Sequence, residues 1–128
     1  MRPLKVIVFD DMLSVREVVV RVIEMLGHEV LDLNFSSPLH EMISCLSGGV
    51  QDPDLVITDF NMGTFKGDEV VRFFKNFSDN KIKVVIMSGG SDIEKARIAT
   101  GESDADAFLK KPISITELQA VIAHLFPE

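Results

Sequence analysis

Two hydrophobic rhythms alternate along this chain. Short, nearly unbroken apolar runs read as strands, and between them apolar residues recur every three or four positions, the spacing of one helix face. The first run predicts a strand at Lys5–Phe9. A helix follows at Ser14–Leu26, with Ser14 as N-cap and Glu17 completing a capping box. Val15, Val18, Val19, Val22 and Leu26 form its buried stripe, and Gly27 ends it. A second strand is predicted at Glu29–Asn34. Ser37-Pro38 opens a second helix, because proline suits the first helical position, and Gly48-Gly49 stops it. After an Asp52-Pro53 turn come a third strand at Leu55–Thr58 and a third helix from Gly67 that buries Val70, Val71, Phe74 and Phe77. The fourth pair is a strand at Lys83–Met87 and a helix at Asp92–Thr100. The fifth is a strand at Ala107–Lys110 and a helix with the capping box Ser114…Glu117 and the stripe Ile115, Leu118, Val121, Ile122, Leu125.

Strict strand–helix alternation predicts an α/β fold of (βα)5 type with a parallel, doubly wound sheet. Strands three, four and five are almost entirely apolar, as expected when helices cover both sheet faces. The 128 residues fit a single domain over positions 1–128, with no effector domain expected. In such sheets ligands bind beyond the carboxyl ends of the strands.

Those ends carry the chemistry. VIVF runs into Asp10-Asp11, LVIT into Asp59, VVIM into Ser88, and AFLK into Lys111-Pro112. Parallel strands would bring three carboxylates, a hydroxyl and an ammonium to one edge. Two like charges ~4 Å apart repel by about 4 kcal/mol at an effective dielectric of about 20, so the carboxylates need a proton or a cation. Hard oxygen donors in a small site suit Mg²⁺, with Mn²⁺ as an alternative. Lys111 would offset negative charge and hold a phosphoryl oxygen, while Lys110 reads as solvated. A cis Lys111-Pro112 bond would aim Lys111 inward. The inventory is that of a magnesium-dependent phosphoryl-transfer site.

The net charge of −7 and a pI near 4.9 argue against direct binding to nucleic acid. No apolar run reaches the ~18 residues of a membrane span, and the first residues show no signal-peptide pattern. A single cysteine, Cys45, points to a reducing cytoplasm and a buried apolar role. His28, His40 and His124 show no ligand spacing and read as structural.

Phe9-Asp10-Asp11, the run Asp59-Phe60-Asn61-Met62 followed by Gly67, the Ser88-Gly89 step and Phe108-Leu109-Lys110-Lys111-Pro112 together resemble the receiver domain of two-component response regulators, of the chemotaxis-regulator type. The resemblance covers essentially the whole chain. It implies a flavodoxin-like sheet of order 2-1-3-4-5. It implies that Asp59 is the phosphoacceptor and takes a phosphoryl group from a histidine kinase or histidine phosphotransfer protein. Asp11, Asp59 and the backbone carbonyl of Asn61 would ligate Mg²⁺, with Asp10 acting through water. Lys111 and Ser88 would bind the phosphoryl oxygens. Ser88 and Phe108 would form the switch, and a downstream protein would dock on the face of the fourth helix, fifth strand and fifth helix. Such a domain is no enzyme in the ordinary sense, since it catalyses only its own Asp phosphorylation and dephosphorylation.

The pattern departs from the family at several points. Gly63 follows Met62 where proline is usual, Ser88 replaces threonine, Phe108 lacks a phenol, and Asp104 stands where glycine is common. Gly90 leaves room for an attacking water, so a short-lived phosphoaspartate is expected. The output face would show Ala99, Gln119, Ala120, Ala123 and His124, and Val20 is a candidate contact for a histidine-bearing helix. Three rival readings are a receiver excised from a hybrid kinase or multidomain regulator, a small Asp-dependent phosphohydrolase, and a flavin-binding electron carrier. A dehalogenase-like hydrolase needs a second Asp where Asn61 stands. Asp10-Asp11 would repel a flavin phosphate.

Overall fold

β1 (Lys5–Phe9), β2 (Glu29–Val30), β3 (Leu55–Asp59), β4 (Lys83–Gly89) and β5 (Ala107–Lys111) form one sheet in the order β2-β1-β3-β4-β5, every neighbouring pair parallel. This is the expected 2-1-3-4-5 order. The computed structural model describes residues 2–31, 53–62, 65–78, 81–89 and 105–127. The expected second and fourth helices lie outside the described residues. So do Asn34, His40, Cys45, Gly63, Gly90, Ala99, Asp104 and the side chain of Phe77.

Side chains alternate between the faces of a strand, and two cores follow from that period. Ile7, Phe9, Val56, Val84 and Ile86 pack against Val70, Val71 and Phe74 of α2 (Gly67–Ser78). Val6, Val8, Ile57, Val85, Met87 and Leu109 pack against α1 (Leu13–Met25) and α3 (Ile115–Leu125). All of these sheet residues are buried, so β1, β3 and β4 are lined by apolar residues on both sides. Removing such a side chain from water contributes about 1.5–3 kcal/mol each.

Helix α1 corrects three expectations. It starts at Leu13 with Met12 in the cap position and no side-chain cap, so Ser14 lies inside the first turn. Asp10 Oδ1 instead accepts the Met12 N–H at 2.9 Å, which occupies a carboxylate just upstream of the helix start. The fully buried positions are Val19 and Ile23, one turn apart. Val18, expected inside, is 55 % exposed, whereas Val20, expected outside, is half-buried against the α1/α3 core. Gly27 ends the helix as expected, at a φ of 91° that side-chain-bearing residues rarely adopt.

Ser114 Oγ accepts the Glu117 N–H at 3.0 Å, as its capping position predicts. Ile115, expected in the α3 stripe, is exposed in the first turn; Leu118 and Ile122 carry the contact. Gln119 and Ala123 are exposed but line a cavity of about 350 Å³ with Leu26, Gly27 and His28, so they face the end of α1. His28 is structural here: its Nδ1 accepts the Leu4 N–H at 3.0 Å. Lys75 of α2 is buried and paired with Asp106, whose Oδ2 also accepts the Val84 N–H; this tie between α2 and the sheet left no mark in the hydrophobic pattern.

Candidate functional site

β3, β4 and β5 each run one or two residues further than the apolar pattern suggested. The ladder continues through Asp59 opposite Met87 and through Gly89 opposite Lys111. Asp59 and Lys111 therefore terminate strands, and Ser88 is held within one by its register to Lys110.

The two-residue period then sorts the site. Asp10 follows Val8, Asp59 follows Ile57 and Lys111 follows Leu109 by two positions, and all three predecessors belong to the α1/α3 core. Ser88 follows Ile86, and Phe108 stands opposite Ile86 in the ladder; Ile86 and Phe108 belong to the α2 side. The Asp10 and Asp59 carboxylates and the Lys111 ammonium thus share one face, and the Ser88 hydroxyl and Phe108 ring share the other.

Lys111 Nζ donates to Asp10 Oδ2 at 2.9 Å and lies 3.1 Å from Asp59 Oδ1. Asp11 is exposed beside them. One carboxylate oxygen from each of Asp10, Asp11 and Asp59 lies within 4.8 Å of the others. The Asp10 side chain is fully enclosed, while that of Asp59 is 11 % exposed and that of Lys111 20 %. Burial pushes the Asp59 carboxyl above its ordinary pKa; the Lys111 hydrogen bond and charge oppose this, and Asp10 and Asp11 reinforce it. Burial alone would lower the Lys111 pKa, but its bonds to Asp10 and Asp59 outweigh that and raise it. Lys111-Pro112 is cis, and Lys110 is exposed.

Three carboxylates against one ammonium leave a local excess of negative charge. Three hard oxygen donors at this separation fit a small, hard divalent ion such as Mg²⁺. Asn61 lies two residues past Asp59, in a short antiparallel ladder of Asn61–Met62 with Phe65–Lys66 that the hydrophobic pattern did not predict. Ser88 Oγ is buried with no hydrogen-bond partner among the described residues, an unusual state for a buried hydroxyl. Phe108 is half-buried against the α2-side core.

Two contributors escaped the sequence reading. Thr58 Oγ1 donates to the Asp59 carbonyl at 3.0 Å, and a lone hydroxyl inside an apolar strand was the available signal. The Met12 N–H, held by Asp10, left no signal in side-chain types. Beside the pocket, Ser14, Val15, Val18, Lys111, Pro112 and Ile113 line an apolar cleft of about 440 Å³.

A parallel sheet with an acidic, lysine-bridged pocket beyond its central strands defines a receiver-type signalling domain. The chain belongs to the response regulator receiver domain family, which residues 6–123 match. It is 30 % identical over 125 residues to the cyclic di-GMP phosphodiesterase response regulator RpfG of Xanthomonas campestris pv. campestris, covering 95 % of this chain. It is 30 % identical over 121 residues to the regulatory protein VirG of Agrobacterium tumefaciens, covering 94 % of this chain. The chain spans 32 % of the length of the former and 43 % of the latter. Among solved structures, a response regulator receiver domain protein from Clostridium thermocellum is similar at a TM-score of 0.78 and 27 % identity, over 94 % of this chain and 92 % of that one. The Vibrio cholerae chemotaxis protein CheY4 shares the fold at a TM-score of 0.81 and 21 % identity, over 98 % of this chain and 100 % of that one. The phosphohydrolase and flavin-carrier readings are not favoured by this match. Among the described residues no helix is long and apolar enough to cross a membrane.

Proposed function

We propose that Asp59 accepts a phosphoryl group from a phosphohistidine on a kinase or phosphotransfer partner, and that the phosphorylated domain then presents an altered protein-binding face. The observation that carries this is the position of Asp59: it ends the strand between β1 and β4, with its carboxylate 3.1 Å from Lys111 Nζ and beside two further carboxylates. An Asp59 oxygen attacks phosphorus in line with the phosphorus–nitrogen bond. The new phosphorus–oxygen bond forms as the old bond breaks, and the imidazole nitrogen leaves with the bonding pair. Lys111 neutralises charge on the transferring group, and Ser88 donates its otherwise unpartnered hydroxyl to a phosphoryl oxygen. Asp11, Asp59 and the Asn61 carbonyl would hold Mg²⁺, with Asp10 acting through water. When bound, that ion supplies neutralisation of phosphoryl charge. Attack of water on the acyl phosphate returns the carboxylate, so the domain acts on its own side chain and turns over no separate substrate.

The switch is a change of packing on the α2 side, where Ser88 and Phe108 share a face, and it is read by a protein partner at the surface of β5 and α3, which shows Ala120 and His124. The apolar cleft beside Lys111, with exposed Val18, suits the helix that brings the histidine, in place of half-buried Val20. The setting proposed is the cytoplasm.

Incubation with a small acyl-phosphate donor and Mg²⁺ tests the reading. The intact mass increases by one phosphoryl group, and Asp59→Asn abolishes the increase. A mass increase that persists in Asp59→Asn places the acceptor elsewhere.

A further inference from the structure

Gly67 begins α2, and its φ lies outside the left-handed region, so the position does not call for glycine's conformational freedom. It calls for space. A Cβ at this position would stand 2.9 Å from Phe60 Cα and 3.0 Å from the Asp59 carbonyl oxygen. Both are backbone atoms of the segment that carries the proposed acceptor.

That backbone is held on several sides. The Phe60 N–H donates to Met87 O at 2.9 Å, and Phe60 O accepts the Gly67 N–H at 2.8 Å. The Asp59 carbonyl accepts the Thr58 hydroxyl at 3.0 Å. Phe60 itself is buried in the α2-side core. An added methyl group must therefore push the helix start outward or drive Phe60 against β4. Either movement displaces the residues on both sides of Phe60, namely Asp59 and Asn61.

We infer that Gly67 is a positioning residue for the phosphoryl-transfer site. Its missing side chain lets the start of α2 close on Asp59-Phe60 and fixes the height of the Asp59 carboxylate and the Asn61 carbonyl above the sheet edge. The inference rests on the receiver reading above and adds a residue that touches neither metal nor phosphate.

The test compares wild type, Gly67→Ala and Val71→Ala. Val71 is fully buried on the same helix, and its truncation removes core volume without adding an atom against Phe60. Melting temperature, Mg²⁺ affinity by titration and the rate of phosphoryl uptake from a small acyl-phosphate donor are measured for each. Gly67→Ala is expected to weaken Mg²⁺ binding and to slow uptake at saturating Mg²⁺ by about tenfold or more, the scale on which small displacements of reacting groups act. Val71→Ala lowers the melting temperature and leaves both site measurements near wild type. A Gly67→Ala protein with wild-type Mg²⁺ affinity and uptake overturns the inference.

Should Gly67→Ala fail to fold, hydrogen exchange in the wild-type protein decides. Coupling is reciprocal, so Mg²⁺ must slow exchange of the Gly67 amide, which is bonded to Phe60 O. An exchange rate unchanged by Mg²⁺ overturns the inference. A wild-type protein that takes up no phosphoryl group sinks the underlying receiver reading instead, and does so before any substitution is made.

Discussion

The Lys111 ammonium sits 2.9 Å from one oxygen of the Asp10 carboxylate, whose other oxygen receives the Met12 N–H. Asp10 is thereby enclosed and satisfied on both sides, and Lys111 is the cation that makes this tolerable in a cluster of three carboxylates.

Lys111→Met removes that cation. Stability in metal-free buffer falls by about 2 kcal/mol, the scale of lost hydrogen bonds to charged groups. Saturating Mg²⁺ restores much of the loss, because a divalent ion can take over the neutralisation. Urea unfolding with chelator and with Mg²⁺ measures both effects. An equal loss in the two buffers would show that the ammonium does not balance the carboxylates.

Ser88→Ala deletes a buried hydroxyl that has no partner among the described residues. Stability of the unphosphorylated protein stays level or rises by up to about 1 kcal/mol, since an unsatisfied polar group is removed. Phosphoryl uptake slows by about tenfold or more, as for loss of one donor to a charged transition state. Calorimetry and mass-monitored uptake separate the two. A clear drop in stability would mean that the hydroxyl holds the fold instead.

His28 gives stability a pH dependence away from the pocket. Its Nδ1 must be unprotonated to accept the Leu4 N–H, and burial pushes its pKa below the ordinary imidazole value. The folded-state pKa is therefore below the unfolded one, which lies near about 6.5. The stabilisation is complete above that value, is lost as pH falls from there toward the folded pKa, and then levels off. Urea unfolding from neutral to mildly acidic pH tests this against His28→Gln, whose side-chain oxygen accepts a bond without titrating. The difference between the two proteins changes with pH in that window. Parallel profiles would remove His28 as the source.

The strands were legible because each is a short apolar run, and their polar ends marked the pocket. Sheet order came from family likeness, not from periodicity. The phase of α1 was misjudged at Val18-Val19-Val20, where three like side chains in a row give the hydrophobic pattern no contrast. Only packing against β1 and α3 picks out Val19 and Ile23. The Ser14 cap failed because the helix begins at Leu13, so the Arg16 N–H, which a Ser14 cap would have accepted, is already bonded to the Met12 carbonyl. The value of Gly67 was likewise hidden, since it depends on Phe60 lying 2.9 Å from an atom that is not there.

The alternation along β1, β3, β4 and β5 sets Asp10, Asp59 and Lys111 on the α1/α3 side and Ser88 with Phe108 on the α2 side. On the proposed reading, acceptor and switch thus lie on opposite faces of one sheet. Ser88 belongs to both, since its hydroxyl is the donor proposed for the phosphoryl group, so repacking the α2 side alters the reaction on the opposite face as well.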